Sequence, residues 1–279
     1  MSGFMEPELV FYAGSTLLEG PCWHQEGNGI LFVSIEQNMV YYLRPDNGAV
    51  KSFLVDSQVG CAVFEDDRHI LAAAYTGIYR IDIHTGKKEF IVQLNEDSSI
   101  RYNDGIMDFA GRFLVGTTGY NRLAKHQNFL YSWDGKNKRI LLEGTTISNG
   151  IDFSKDNRFL YFVDTPTRRV SRFFYDIQTG DIRFDRHIIT FTEGSLPDGI
   201  CTDTDDMLWV AQWGGFKVSK WNPYTGKKLA EITLPCKNVT SCCIGGAKGE
   251  WLFITTARQE DKTQCESLAG GLFKARIRD

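Results

Sequence analysis

An apolar strand opening returns six times along this chain at an interval of 40 to 49 residues, and no other feature narrows the choice of fold so much. The openings are Gly20 (GPCWH), Gly60 (GCAVF), Gly105 (GIMDF), Gly150 (GIDFS), Gly199 (GICTD) and Ser241 (SCCIG). Each is followed by a polar turn and a second apolar run: GILFVS, HILAAA, RFLVGT, RFLYFVD, MLWVAQ and EWLFITT. A third run comes next: MVYYLRP, GIYRIDI, NFLYSWD, RVSRFFYD, KVSKWNP and GLFKARI. Five of these third runs lead into glycine turns at Gly48, Gly86, Gly135, Gly180 and Gly226. Glycine turns between β-branched and aromatic runs signal hairpins. Four short strands per repeat of this length is the period of a propeller blade. The sequence therefore predicts an all-β, six-bladed β-propeller with four antiparallel strands per blade, filling residues 1–279 as one domain. The sixth repeat ends after its third strand. Its fourth is expected from Glu8–Tyr12 (ELVFY), which closes the ring against the C-terminal blade. An irregular sandwich is the alternative, and the near-constant phase of five turns argues against it.

Charge and cysteine content exclude several function classes. The net charge is −4 with no basic block, so nucleic acid is not an expected partner. No apolar run reaches the length of a membrane span. The start, MSGFMEPELVFYAG, lacks the basic and long apolar regions of a secretory signal. The seven cysteines include no CxxC pair, which disfavours a zinc knuckle or a disulfide framework. Cys22, Cys61, Cys201 and Cys242 fall just inside strand openings, where they serve as small buried hydrophobes. A reducing cytoplasm is the expected compartment.

The residues preceding the six openings carry the chemistry. They are Glu19, Val59, Asp104, Asn149, Asp198 and Thr240. The first strand of each propeller blade lines the central channel, so these positions share one rim of it. Carboxylates and an amide oxygen converging there would repel one another and be poorly solvated unless a cation sat among them. Oxygen donors without His or Cys suit Ca²⁺, Mg²⁺ or Mn²⁺, although catalytic Zn²⁺ also accepts oxygen. Glu19, Asn149 and Asp198 are the expected ligands of one divalent metal. Asx-Gly pairs also form turns for purely local reasons, a reading that weighs most on Asp104 in RYNDG. Glu before Gly has no such explanation at Glu19.

At this point the chain resembles the senescence-marker-protein/gluconolactonase/luciferin-regenerating family of six-bladed propellers. The resemblance runs essentially full length through LLEGPCW (17–23), RYNDGIMDFAGRFLVGTT (101–118), SNGIDFSKDNRFLYFVDT (148–165) and LPDGICTDTDDMLWVAQWGG (196–215). It implies one bound divalent metal held by Glu19, Asn149 and Asp198, with hydrolysis of a sugar lactone as the activity. It also implies substrate contacts from Arg101 and Asn103. The AQWGG stretch is similar to bacterial sugar-lactone members. One departure concerns substrate. Animal members carry an acidic pair after the GT segment, where this chain has Gly119-Tyr120-Asn121. Tyr120 and Asn121 can bond to sugar hydroxyls without adding negative charge, so an acidic lactone is better tolerated here.

The expected reaction is metal-assisted opening of a cyclic ester, with the metal polarising the carbonyl. Asp198 is the candidate base for the attacking water, and water activated by the cation competes for that role. His24 is expected to pack within a strand, while His126 lies in a long loop, 121–127, near the channel mouth. The absence of a GxSxG elbow argues against a serine hydrolase. Two other readings stand beside the lactonase. One is an aryl- or phosphoester hydrolase at the same site, and the other is a non-enzymatic calcium-binding regulatory protein.

Overall fold

The computed structural model describes residues 6–120, 127–192, 194–258 and 267–278. Six four-stranded antiparallel sheets follow one another around a central channel as a six-bladed propeller. An N-terminal strand β1 (Glu8–Tyr12) precedes blade 1, which comprises β2 (Leu18–His24), β3 (Gly29–Ser34), β4 (Met39–Arg44) and β5 (Ala49–Leu54). Blade 2 comprises β6 (Val59–Phe64), β7 (His69–Ala74), β8 (Gly77–Asp82) and β9 (Lys88–Val92). Blade 3 is built from β10 (Ile100–Met107), β11 (Phe113–Gly119), β12 (Asn128–Trp133) and β13 (Lys138–Thr145). In blade 4 come β14 (Ser148–Phe153), β15 (Phe159–Asp164), β16 (Arg169–Asp176) and β17 (Asp181–Thr190). Blade 5 contains β18 (Leu196–Thr202), β19 (Leu208–Trp213), β20 (Lys217–Trp221) and β21 (Lys228–Thr233). The last blade has β22 (Asn238–Gly245), β23 (Trp251–Ala257) and β24 (Gly271–Arg276) from the C-terminal end of the chain, and β1 pairs antiparallel with β24 to complete it. The ring closes as the sequence predicts. No helix among the described residues is long and apolar enough to cross a membrane.

The core lies between blades. Val33 and Val40 of blade 1 pack with Ala62, Ile70 and Ala72 of blade 2, and each further pair of neighbours repeats the arrangement. A second strand is covered on both faces, so it reads as a continuous apolar run rather than an alternating one. Every residue of β3 is buried, whereas the outer strand β5 is largely exposed. Burying each Ile, Leu, Phe or Val of such a run stabilises the fold by about 1.5–3 kcal/mol.

The six openings do not start their strands. Each sits inside its inner strand at a β-bulge: between Glu19 and Cys22, Val59 and Cys61, Tyr102 and Gly105, Asn149 and Ile151, Pro197 and Ile200, and Val239 and Ser241. A bulge adds one residue to a strand and re-aims the side chains beside it. The glycines serve close approach between blades. A Cβ at Gly150 would lie 2.5 Å from the Asp198 carbonyl oxygen of the next blade. Gly20 additionally has a positive φ of 55°, which a side chain would strain.

Candidate metal centre

The in-phase bulges bring Glu19 from blade 1, Asn149 from blade 4 and Asp198 from blade 5 to the wall of one cavity of about 430 Å³. All three are less than a tenth exposed. Arg101, Asn103 and Tyr120 line the same cavity from blade 3. Asn121 and His126 lie outside the described residues. The Oδ1 of Asp104 accepts a hydrogen bond from the Gly105 N–H at 2.8 Å, and this residue does not line the cavity. The Gly20 N–H makes the same local bond to Glu19. Asp104 is therefore set apart by its place within β10 off the cavity wall, from which its charge still acts on Glu19 and Asp198.

The electrostatics are those of a site short of positive charge. Burial pushes the Glu19 carboxyl up to about 8, the charge on Asp104 adds to the shift, and the Gly20 N–H and Arg101 pull it back. Asp198 is raised by burial and then by Glu19 and Asp104, while the Asn149 amide opposes the shift. Burial raises Asp104 to about 6, and Asp152 reinforces it. Asp198 Oδ1 is buried with no hydrogen-bond partner among the described residues. Leaving a charged acceptor in that state costs at least about 1–3 kcal/mol, a cost that a bound cation removes. Two carboxylates, one of them with an unpartnered oxygen, and an amide oxygen form a hard donor set of the kind that takes a divalent cation.

A directional hydrogen-bond chain crosses the site. The Arg101 guanidinium donates to Asn103 Oδ1 at 2.9 Å. Asn103 Nδ2 donates to the Ser148 carbonyl at 3.1 Å and reaches Asn149 Oδ1 at 3.4 Å. Asn149 Nδ2 donates to Thr165 Oγ1 at 3.1 Å, and that hydroxyl donates to the Pro197 carbonyl at 2.9 Å. The chain thus runs from blade 3 through blade 4 to the residue before Asp198.

Sequence reasoning missed Thr165, Glu36 and Gln58, which also line the cavity. All three lie in connections between strands at the same end of the propeller as the bulges. That topological position was the available signal, because nothing in their local sequence marks them. Trp213, within the AQWGG stretch, lines the wall on blade 5. Tyr120 packs against Tyr75 with the rings tilted by 32° and their centroids 4.6 Å apart, which holds its ring at the rim. His24 is structural, stacking on Phe64 at 4.3 Å and bonding to Tyr42 and Asp67.

Comparison with known proteins identifies the family. The family profile described as the SMP-30/Gluconolactonase/LRE-like region matches residues 17–258. Human regucalcin is 33% identical over 271 residues, covering 92% of this chain and 89% of its own. Bacillus subtilis (strain 168) YvrE, named for a proposed sugar lactone lactonase activity, is 31% identical over 93% of this chain and 90% of its own. Among solved structures, a regucalcin from Agrobacterium tumefaciens, described as a calcium-binding protein, superimposes with a TM-score of 0.89 at 24% identity, covering 97% of this chain and 93% of that one. A gluconolactonase from Xanthomonas campestris gives 0.78 at 20% identity, with 97% and 89% covered. At those identities the two structures speak for the fold.

Proposed function

Because the chain belongs to the SMP-30/gluconolactonase/LRE-like family, we propose that it is a divalent-cation-dependent hydrolase that opens the ester ring of a sugar lactone to the aldonic acid. One observation carries the reading. Oxygen side chains from three blades, Glu19, Asn149 and Asp198, share one cavity wall, and a buried Asp198 oxygen there has no hydrogen-bond partner among the described residues. These three residues would hold the cation. Bound there, it would supply Lewis-acid polarisation of the lactone carbonyl.

The chain's own residues account for the rest of the reaction. Arg101, braced by Asn103, orients the oxygens of the substrate. Tyr120 offers its hydroxyl to the sugar at the rim, and Asn121 is proposed to do the same. Asp198 is the base: as water attacks the carbonyl carbon, a water proton passes to the carboxylate, the ring C–O bond breaks, and Asp198 returns that proton to the departing ring oxygen. The partner is a small sugar lactone rather than nucleic acid or membrane, and the proposed compartment is the cytoplasm.

The test is a pH-stat screen of sugar lactones with cation-stripped protein, restored with Ca²⁺, Zn²⁺, Mg²⁺ or Mn²⁺ in turn. At least one pairing should restore turnover. Asp198→Asn should lose it by about 10²-fold or more, the scale of losing one preorganised electrostatic contact. Turnover that survives chelation or this substitution would end the proposal. One feature favours a second reading, hydrolysis of a less polar aryl or phosphoester. Leu17, Ile35, Leu196 and Trp213 make the wall on blades 1 and 5 apolar, while blade 3 presents the polar side. Aryl esters belong in the same screen and would outpace aldonolactones if that reading holds.

A further inference from the structure

The direction of the hydrogen-bond chain across the site has a physical cause at each end. A guanidinium can only donate, so the side-chain oxygen of Asn103 must face Arg101. A peptide carbonyl can only accept, so the single hydroxyl proton of Thr165 is committed to Pro197. Thr165 Oγ1 then has only lone pairs for Asn149, which must present its Nδ2. With Nδ2 held there, Asn149 Oδ1 is turned to the opposite side, where Asn103 Nδ2 touches it only at 3.4 Å. That contact is long, and Oδ1 keeps a lone pair for the cavity. Had Thr165 carried no hydroxyl, the amide could turn over and present N–H groups instead. Thr165 is itself 6% exposed and is the first residue of a short 3₁₀ turn, Thr165–Thr167, between β15 and β16. The turn's backbone is fixed independently, since the Thr165 N–H donates to the Ile147 carbonyl at 3.2 Å.

From these contacts we infer that Thr165 is a positioning residue for the cation site: its hydroxyl fixes the Asn149 amide with the oxygen toward the cavity and ties blade 4 to the strand that carries Asp198. This rests on the cation site proposed above. Partners behind a ligand typically set about ten- to a hundredfold of metal affinity, and Thr165 is assigned that role here.

The experiment titrates Ca²⁺, Zn²⁺, Mg²⁺ and Mn²⁺ separately into the cation-stripped full chain and reads affinity by calorimetry, independently of any turnover. Thr165→Val keeps the shape and removes the hydroxyl, and should weaken the best-bound cation by about ten- to a hundredfold. Thr165→Ser keeps the hydroxyl and should stay within about threefold of the parent. A purely structural role would not make affinity follow the hydroxyl in this way. Circular dichroism checks each fold, and Thr165→Ala replaces the Val variant under the same expectation if that one does not fold. Unchanged affinity without the hydroxyl, or equal weakening in the Ser variant, overturns the inference alone. A parent protein that binds none of the four ions overturns it together with the cation site.

Discussion

At the scale of single residues, the site concentrates negative charge where water is scarce. Glu19, Asp104 and Asp198 all hold protons more tightly than ordinary carboxyls, chiefly because burial disfavours their charged forms. The consequence for stability has a definite sign. A carboxyl with a raised folded pKa contributes stability that is complete below its ordinary value and lost as pH climbs through the folded value. For Glu19 that window runs from 4.5 to about 8. Thermal denaturation of the cation-stripped protein should therefore show a melting temperature that declines across this window, and Glu19→Gln should flatten the decline. A melting temperature that climbs with pH there would contradict the assignment. Saturating divalent cation should oppose the decline by binding the ionised folded form, worth about 2.7 kcal/mol at a hundred times its Kd. Glu19 could be singled out from sequence because glutamate is a poor turn residue, even though in the fold it accepts the Gly20 N–H at 3.2 Å. Thr165 could not, because its role depends on what faces it across two blades.

At the scale of elements, the bulge is the decisive device. Inner strands pair with second strands in simple register until the extra residue, and the proposed ligand lies at or beside that break. Glycine next to it allows the neighbouring inner strand to come near. Gly150→Ala would place its methyl 2.5 Å from the Asp198 carbonyl, and overpacking of this kind costs about 1–3 kcal/mol. Since a kilocalorie corresponds to about 2–4 °C in chains somewhat smaller than this one, the expected result is a melting temperature lower by several degrees. Cation affinity should weaken with it, because the strands that part are those carrying Asn149 and Asp198. Scanning fluorimetry and titration of the one variant check both. Second and third strands were legible as apolar runs, the former because both of their faces are covered. Fourth strands such as β5 and β17 were legible only through the glycine turn before them, since their exposed faces erase the hydrophobic signal. The bulges were not legible at all, because strand pairing decides them.

At the scale of the whole molecule, ring closure couples the two ends of the chain. β1 pairs with β24 while Phe11 packs on Phe32 and Tyr41 of blade 1, so five N-terminal residues bridge the first and last blades. Thr240 strengthens the same seam by donating to the Leu18 carbonyl at 2.6 Å, one residue before Glu19. Removing residues 1–12 exposes the edge of β24 and opens the seam beside the proposed ligand Glu19. Truncation should lower the melting temperature by at least about 5 °C, the equivalent of a few kcal/mol. It should also weaken cation binding, although no ligand is removed. Calorimetry on the truncated chain measures both, and an unaltered melting temperature would show that the ring does not depend on its N-terminal clasp.

What the sequence by itself determined was the repeat: six units, their strand order, the strand that closes the ring, and the phase that lines up Glu19, Asn149 and Asp198. These follow from turn chemistry and from apolar runs, which are local properties of the chain. Only the tertiary structure decided which residues line the cavity, that Asp104 is not among them, and that the Asn149 amide donates to Thr165. Those outcomes depend on bulges and on hydrogen bonds between residues tens of positions apart, where a donor's choice is fixed by what another blade presents.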